Sequence, residues 1–516
     1  MNPPTPVQVV AGVAIAWGTW KVLGLFFRKD PLHNIPGPPS DSWAKGNFKA
    51  LLHSRAWSLH KEIAEQHGGV LKIHGFLGER LLYVFDPKAL QHIVVKEQNV
   101  YEEADQFIMI VFGEGLLSTM GEQHRKQRKM LNPVFSIAHM REMIPIFYDV
   151  VHRLGDSFQA KVQNGPATIE VLNWMTRTAL ELIGQSGLGY SFDPLTENGK
   201  EHRFSVSAKL LVAVVDFLSL FWTDLRRYRD IVDVIAETSE EILAEKKAAL
   251  RQGDETLKAQ VGRGKDIMSI LLKANMSASE SDKLSDSELL GQMSSLTFAA
   301  MDTTSNALSR IFTLDDRLRK EISEALDDRG QLSYDDLINL PYLDAICRET
   351  MRLYPPVPLL IRACQQDSML PVSRPVVGVD GKEMDEVFVP QGTKIFISTL
   401  ASNRNAELWG PDAYEWKPDR WLLPLPDAVV NAKIPGVYSH LMTFLGGSRA
   451  CIGFKFSQLE MKVVLVELIS RFKFELGEHK NIYWQMGGIA TPIIDENSTL
   501  DPQLPLKVTS LKDIKI

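Results

Sequence analysis

The sequence predicts a mainly α-helical fold with a small β-rich lobe, preceded by an N-terminal transmembrane helix. Long segments in the middle of the chain carry apolar residues three to four positions apart, which is typical of helices packed on one face. Short apolar runs near the turn signal Asp380-Gly381 indicate the β component. The mostly apolar residues 7–27 are close to the ~20 residues that a helix needs to cross a bilayer.

Composition narrows the class of protein. The chain has 516 residues, 45% of them hydrophobic, and a formal net charge of −7. It carries no polybasic tract and no zinc-type cluster of Cys and His, so we expect no nucleic-acid partner. Its three cysteines, Cys347, Cys364 and Cys451, are too few for a disulfide framework and suit a reducing compartment.

The amino-terminal region is predicted to be separate from the main domain. Residues 1–30 read as a membrane anchor and residues 31–40 as a proline-rich hinge. Two basic residues directly follow the apolar stretch, so the positive-inside rule leaves residues 41–516 in the cytoplasm. A single-pass anchor is favoured over a helix lying in the membrane surface, and the Lys21 side chain must then snorkel toward the interface.

The main domain is predicted to alternate between long helices and a few strands. Predicted helices occupy residues 56–67, 140–160, 231–249 and 266–274, and predicted strands occupy residues 70–74, 81–85, 375–379, 386–400 and the end near 486–494. Ser285 and Glu288 form a capping box that opens a further long helix reaching about Phe312.

A glycine-rich turn at residues 444–453 places Cys451 just ahead of an apolar helix that begins near Phe454. A thiolate is a soft, electron-rich ligand for iron, and the positive end of the following helix favours it. Three glycines are expected to bend the turn and let it approach a flat macrocycle: Gly446, Gly447 and Gly453. Arg449 adds a cation suited to a carboxylate. The turn therefore predicts a heme iron bound by Cys451; the alternative is a buried structural cysteine.

This turn resembles the heme-binding loop of the cytochrome P-450 superfamily, Phe-x-x-Gly-x-Arg-x-Cys-x-Gly. All of its fixed positions are matched, by Phe444, Gly447, Arg449, Cys451 and Gly453. Residue identities at fixed spacing are a specific signal. The resemblance, which covers nearly the whole chain, implies the cytochrome P-450 fold, with residues 41–516 as a heme-thiolate monooxygenase domain. It also implies heme b (iron protoporphyrin IX) as cofactor, with Cys451 as its axial ligand.

The long helix contains Asp302-Thr303-Thr304 within an apolar run, where such residues are unfavourable. On the residues alone, Asp302 could face water and the threonines could bond back to their own helix. The segment is similar to the family pattern Ala/Gly-Gly-x-Asp/Glu-Thr-Thr/Ser, with Ala300 replacing the usual glycine. The resemblance implies that Asp302 supplies protons and that Thr303 presents a hydroxyl to the oxygen site, so both are predicted to be catalytic.

Glu349 and Arg352 stand at i and i+3 on a predicted helix and can pair, although such pairs are usually solvated. In the family, a Glu-x-x-Arg pair binds an arginine from a Pro-x-Arg-Phe/Trp segment, which residues 418–421 match. The resemblance implies a buried triad of Glu349, Arg352 and Arg420 that holds the heme loop without reacting.

Heme propionates require cations at the heme rim. The candidates are Arg128, Arg362 and Arg449, with His124 standing where the family pattern Trp-x-x-x-Arg has tryptophan. Arg362 follows the proline-rich bend at residues 355–361, which resembles the substrate-lining turn of the family.

Two further sets of residues are assigned by position. The predicted substrate lining, which could equally be ordinary core, is Phe107, Ile108, Phe112, Phe217, Leu296, Ala300, Leu359, Leu360 and Ile489. The basic residues that could face an acidic electron donor, or simply water, are Arg125, Lys126, Lys129 and Lys455.

One region departs from the family pattern. After Thr304 the chain reaches Leu-Arg-Lys-Glu-Ile at residues 318–322 several positions early, so the end of the long helix and its connector are predicted to be shortened. A gene-model error, a splice variant and a true shortening all remain open. Because the segment lies beyond Thr303, the chemistry can survive, at a cost in stability and heme retention.

The resemblance implies a monooxygenase that inserts one oxygen atom from O2 into a C–H bond of an apolar small molecule. Nothing in the chain resembles a flavin or NADPH site, so electrons are expected from NADPH through NADPH–cytochrome P-450 reductase, with cytochrome b5 as a further candidate donor. The overall similarity is to membrane-anchored fungal members of secondary metabolism. This implies a terpenoid substrate and a single-pass location in the endoplasmic reticulum membrane, with the catalytic domain facing the cytoplasm.

Other functions stay open. A fatty-acid or alkane hydroxylase is the alternative within the class. A heme-thiolate isomerase or dehydratase would not need Asp302 and Thr303. A catalytically impaired heme-binding protein is suggested by the shortened segment after Thr304.

Overall fold

The helices form most of the domain. The computed structural model describes residues 31–40, 42–103, 109, 111–196, 199, 202–207, 225–253, 255–256, 261–312, 316–326, 330–477, 481–495 and 502–513. Its longer helices are α1 (Trp57–His67), α2 (Gly121–Leu131), α3 (Ile137–Val162), α4 (Val171–Leu182), α5 (Leu225–Gln252), α6 (Ile267–Ser277), α7 (Asp286–Ser309), α8 (Asp316–Leu326), α9 (Pro341–Leu353) and α10 (Phe454–Arg471). Short α-helices lie at Phe48–Leu51, Pro87–Gln91, Tyr334–Ile338, Thr399–Asn403, Ala406–Trp409 and Asp427–Asn431.

The described strands form four small sheets. They are β1 (Val70–His74), β2 (Arg80–Val84), β3 (Tyr101–Glu102), β4 (Ala167–Glu170), β5 (Leu359–Cys364), β6 (Ser368–Val377), β7 (Glu383–Val389), β8 (Lys394–Ser398), β9 (Phe472–Leu476), β10 (Tyr483–Gln485), β11 (Thr491–Ile493) and β12 (Pro505–Ser510). The largest sheet has the order β1-β2-β8-β5-β3, and the others are β4-β12-β9, β6-β7 and β10-β11. The prediction of a mainly α fold with a minor β component is confirmed.

Helix α7 runs through the largest hydrophobic core and packs against α4 and α10. It begins with the predicted capping box, in which Ser285 and Glu288 exchange hydrogen bonds of 2.9 and 3.1 Å. It ends at Ser309 and not near Phe312, because the next two backbone N–H groups bond to carbonyls three residues back and tighten the last turn.

Helix α10 is buried on every side from Leu459 to Ile469, which makes it a core helix. It starts three residues after Cys451, so the cysteine loop is attached directly to the interior of the protein.

The predicted strand at residues 386–400 is wrong. The structure has two strands there, β7 and β8, which belong to different sheets. Pro390 cannot donate a ladder hydrogen bond, and Gly392 turns the chain with a φ of +84°. The predicted turn at Asp380-Gly381 does connect β6 with β7, and Gly381 has a φ of +78°.

The predicted membrane anchor, residues 1–30, lies outside the described residues. Within the described part of the chain, no helix is both long and apolar enough to cross a bilayer. The proline-rich segment that follows is packed against the domain at its start, since Leu32 and Ile35 are buried and the N–H of Lys72 donates to the carbonyl of Pro36.

Candidate heme site

The cysteine loop is held by its own backbone. The N–H of Cys451 donates to the carbonyl of Phe444 across 2.8 Å. Gly447 has a φ of +67°, and a Cβ there would lie 1.8 Å from the carbonyl oxygen of Val94. A Cβ on Gly446 would lie 1.7 Å from another backbone oxygen. Neither position accepts a larger residue, so these two glycines fix the path of the chain into Cys451.

Gly453 does not bend the chain as predicted. Its φ of −85° is open to any residue, and nothing lies within 4 Å of a Cβ built on it. The absence of a side chain here leaves open space beside the cysteine, which suits the close approach of a flat group.

The Cys451 side chain borders a cavity. The residue keeps surface that water-sized molecules can reach, yet burial raises the pKa of its thiol. Two features oppose this: the N–H of Gly453 bonds to the sulfur, and the positive charge of Arg128 lies nearby. Both favour the thiolate, which is the form that binds iron.

The basic residues predicted for the heme rim lie close together. Arg449 and Arg128 each donate hydrogen bonds to backbone carbonyls, the latter to the residue just before Cys451. Arg362 and Arg449 share the carboxylate of Glu103, at 3.0 and 3.6 Å. Burial, followed by the charges of Arg449 and Arg128, lowers the pKa of His124 to about 4, so this ring is neutral at physiological pH.

The basic residues of the heme rim carry more positive charge than the neighbouring carboxylates neutralise. Among the described residues, Glu103 is the one carboxylate that pairs with them. Burial, with added repulsion from Arg449, lowers the pKa of both Arg128 and Arg362. A buried excess of cations is unfavourable unless an anion joins it. Heme propionates are such anions, so the residues present fit iron protoporphyrin IX.

The predicted catalytic residues lie on the buried helix α7. Asp302 is 8% exposed and therefore does not face bulk water. The hydroxyl of Thr303 donates to the carbonyl of Ala299 across 2.7 Å, so this threonine does bond back to its own helix. Between Gly291 and Ser309, the partly exposed residues are Leu296, Phe298, Ala299, Ala300, Thr303. Most of them share one helical face, which indicates that this face borders a cavity.

Glu460 was not predicted, and it lies behind this face. It belongs to α10 and is fully buried, and neither of its carboxyl oxygens has a hydrogen-bond partner among the described residues. Burial raises its pKa well above the usual value, and the neighbouring Thr304 opposes this only in part. Burial therefore favours the neutral form of this carboxyl group. The signal in the sequence was weak, since Glu460 only precedes the apolar run at residues 463–466 and Lys462 and Glu467 also lie on α10.

Glu349, Arg352 and Arg420 lie together. Arg352 pairs with Glu349 through two hydrogen bonds of 2.8 Å, and both side chains are 0% exposed. Arg420 is more distant, at 3.5 Å from Glu349, and pairs more closely with Asp412, at 3.1 Å. The indole N–H of Trp421, which was not predicted, donates to Glu349 across 2.9 Å. The network satisfies the buried charges that it contains.

Asn403, also unpredicted, connects this network to the cysteine loop. Its backbone carbonyl accepts from Arg352 at 3.3 Å, and its side chain bonds to Met442 and Thr443, each at 2.7 Å. Since these two residues directly precede Phe444, the triad supports the loop through Asn403.

The predicted substrate lining is partly visible. Phe107, Ile108 and Phe217 lie outside the described residues. Phe112 packs against Phe298 with ring centres 4.6 Å apart. The N–H of Ala490 donates to Pro356 across 3.0 Å, which brings the turn carrying Ile489 to the proline-rich bend before Leu359 and Leu360.

Three of the four predicted donor-facing residues take part in ion pairs. Lys126 pairs with the buried Glu288 at 3.1 Å, Lys129 with Asp282 at 3.1 Å, and the exposed Arg125 with Glu122 at 3.4 Å. The ammonium of Lys455 lies 5.5 Å from the ring centre of Phe454. A role for these residues in docking a donor stays a prediction.

The region predicted to be shortened is packed at both ends. Ile311 and Phe312 are fully buried after α7, and the Phe312 ring lies 4.9 Å from that of Phe474. Helix α8 then begins at Asp316, while residues 313–315 lie outside the described part of the chain.

A cysteine loop, a cationic rim and a cavity-facing helix with an acid and a threonine define a heme-thiolate protein. The family model "Cytochrome P450" matches residues 36–494, and this chain belongs to that family. It is 49% identical to cytochrome P450 monooxygenase 91 of Postia placenta over 533 positions, covering 97% of this chain and 98% of the relative. It is 43% identical to ganoderic acid synthetase of Ganoderma lucidum over 549 positions, covering 99% and 100%.

These comparisons bear on several predictions. The resemblance to the cytochrome P-450 superfamily and its fungal members, the monooxygenase class and the heme cofactor are confirmed. Both alignments are longer than the 516 residues of this chain, so each contains gaps within it, as a shortened segment would require.

Proposed function

We propose that this monooxygenase hydroxylates an apolar small molecule of the terpenoid class. The observation that carries the proposal is the cavity-facing stripe of α7, where Leu296 and Ala300 precede Thr303 on the same face. An apolar wall with few polar groups selects an apolar ligand. The relative named ganoderic acid synthetase supports a secondary metabolite as substrate.

Each group of residues has a distinct task in this proposal. Heme, when bound, supplies the activation of O2. Cys451 would hold its iron, and Arg128, Arg362, Arg449 and His124 would hold its propionates. Asp302 would release a proton from its carboxyl group, and the hydroxyl of Thr303 would pass it toward the cavity. The apolar lining would exclude water and orient the C–H bond.

The electrons would come from NADPH through NADPH–cytochrome P-450 reductase, with cytochrome b5 as a second donor. Residues 1–30 would anchor the chain once in the endoplasmic reticulum membrane, with residues 41–516 in the cytoplasm. The two basic residues at positions 28 and 29, directly after the apolar stretch, support this orientation.

The substrate proposal is tested by turnover in membranes that contain the chain and a fungal reductase. Triterpenoids, fatty acids and n-alkanes are supplied with NADPH, and the products are analysed by mass spectrometry. We expect hydroxylated terpenoid, absent without NADPH or reductase. Oxidation of fatty acids or alkanes alone would favour the alternative hydroxylase. Conversion of a substrate without NADPH would indicate an isomerase or dehydratase. Heme binding without any product would indicate a catalytically impaired protein.

The anchor proposal has its own test. Alkaline carbonate extraction should leave the full chain in the membrane pellet and release a variant that begins at residue 31. External protease should digest the domain in sealed microsomes. Protection of the domain would reverse the proposed orientation.

A further inference from the structure

A second site is suggested by an arginine enclosed by aromatic rings at the end of α7. The guanidinium carbon of Arg310 lies 3.5 Å from the ring centre of Trp484, 3.9 Å from that of Tyr354 and 5.6 Å from that of Trp57. No described residue accepts a hydrogen bond from this guanidinium or forms an ion pair with it. Cation–π contacts stabilise it only in part, since they leave its N–H donors unused.

A second arginine shares the same rings. The guanidinium carbon of Arg404 lies 5.2 Å from the ring centre of Trp57 and 5.4 Å from that of Tyr354. Arg404 donates to the carbonyl of Leu353, but no described carboxylate pairs with it. Burial lowers the pKa of both arginines, and the pKa of Arg404 falls to about 10. The charge of Arg404 lowers the pKa of Arg310 further, and the charge of Arg352 does the same for Arg404. Two adjacent cations therefore lack a counter-ion within the described part of the chain.

Arg310 also borders a cleft. The cleft has a volume of about 490 Å3 and is lined by Ser309, Arg310, Asn481 and Tyr483 together with the apolar Ile482 and Leu504. This volume lies within the ~300–1,000 Å3 range of small-molecule sites. Hydroxyl, amide and phenol groups near an unused guanidinium can bind an oxyanion, and the aromatic and aliphatic walls can cover an apolar body.

We propose that this cleft binds a small organic carboxylate, whose oxygens pair with Arg310 while its apolar part packs on Trp484. A guanidinium has two parallel N–H donors that match a carboxylate, and the neighbouring charge of Arg404 adds attraction. This site is separate from the heme rim, whose cations are Arg128, Arg362 and Arg449.

The cleft is linked to the substrate-lining turn. Trp484 lies on β10, and its carbonyl accepts from the indole N–H of Trp57 across 2.7 Å. Beyond β10, the N–H of Met486 bonds to Ser54 across 2.6 Å, and Ile489 follows in the same turn. A carboxylate that orders Trp484 therefore orders the hairpin that carries Ile489.

The test uses the heme-loaded full chain and benzoate as the probe. We expect saturable quenching of tryptophan fluorescence and a rise in Tm, with no change in the heme Soret band. Benzyl alcohol, which is matched in shape but uncharged, should do neither. Arg310→Gln should weaken benzoate binding about tenfold or more, since a charge-assisted pair is lost. Arg317→Gln is the control, because Arg317 also lies on an aromatic ring but pairs with Asp419.

Arg310→Lys provides a second variant should the glutamine form fail to fold. Lysine keeps the positive charge but lacks the two parallel N–H donors of the guanidinium, so benzoate should bind this variant more weakly than the wild type. Unchanged binding in the Arg310 variants, an equal response to benzyl alcohol, or a Soret shift accompanying the response would overturn the proposal. So would an equal response to inorganic phosphate, which would reduce the cleft to a bare oxyanion site.

Discussion

At the residue scale, Cys451 is subject to opposing influences. Burial raises the pKa of its thiol, while the N–H of Gly453 and the charge of Arg128 lower it. Iron binding requires the thiolate, so the hydrogen bond from Gly453 and the nearby charge of Arg128 act in the same direction as the metal.

Cys451→Ser should abolish the strongly red-shifted Soret band of the dithionite-reduced, carbon monoxide-bound protein, because a hydroxyl is not a thiolate ligand. The difference spectrum is measured in membranes. Cys364→Ser is the control, since Cys364 is a buried thiol outside the site, and it should keep the band. A red-shifted band in the Cys451 variant would refute the ligand assignment.

Glu460→Gln should make the protein more stable at neutral pH. The folded pKa of Glu460 is raised, so its favourable contribution is complete below the ordinary value of 4.5 and is lost as pH rises toward the folded pKa. Glutamine stays neutral, so the gain in Tm over the wild type should be largest at neutral pH and shrink toward pH 4.5. Thermal unfolding at several pH values measures this.

Glu467→Gln is the matched control on the same helix. It removes the ion pair with Arg471 at 2.6 Å, so the Tm should fall. A pH-independent Tm difference for Glu460→Gln would contradict the raised pKa of Glu460.

The sequence predicted those site residues that belong to a recognisable local motif. Cys451, Asp302 and Glu349 belong to motifs of fixed spacing, so their surroundings could be anticipated. Glu103 and Asn403 could not, because their contacts are distant in sequence: Glu103 pairs with Arg449, and Asn403 bonds to Thr443, which is 40 positions away. No local pattern distinguishes them from ordinary polar residues.

At the element scale, α9 and the cysteine loop depend on one another. Arg352 on α9 binds Glu349 and, through the carbonyl of Asn403, the segment that leads to Phe444. The start of α7 was predicted because Ser285 carries a capping signal, whereas the end of α7 depends on hydrogen bonds that no residue type indicates. The start of α5 at Leu225 lies six residues before the predicted position, residue 231. The separation of β7 from β8 likewise depends on the turn at Gly392.

Arg352→Lys should lower the free energy of unfolding by about 3–5 kcal/mol, because it leaves a buried carboxylate without its forked partner. Arg420→Lys should cost less, since Arg420 lies 3.5 Å from Glu349. Urea unfolding and heme content measure both. Arg374→Lys should change stability by less than about 0.5 kcal/mol, because its pair with Glu407 is 73% and 59% exposed. Equal losses in all three variants would contradict a buried network.

At the scale of the whole molecule, the cationic rim joins distant parts of the chain. Arg128 lies on α2, Arg362 on β5 and Arg449 in the cysteine loop. Their convergence sets charges of the same sign close together in the folded protein. Binding of an anionic cofactor should therefore stabilise the entire fold and not only the loop around the iron.

Heme should raise the Tm of the heme-free protein more than heme dimethyl ester does, because the ester lacks the propionate charges. Arg128→Gln should narrow this difference. Differential scanning calorimetry of the two reconstituted forms provides the comparison. An equal rise with both compounds would mean that the rim does not bind propionates.

The sheet β4-β12-β9 has a consequence for how the protein is made. Strand β12 lies between β4 and β9, and its Leu506 pairs with both Ile169 and Leu476. The ribosome therefore synthesises the middle strand, β12, after β4 and β9. Until then, β4 and β9 each have an unpaired edge. A nonsense mutation that stops translation just before Pro505 would leave those edges exposed for pairing with other chains. Such an allele should yield aggregated protein, although every residue of the heme site is present.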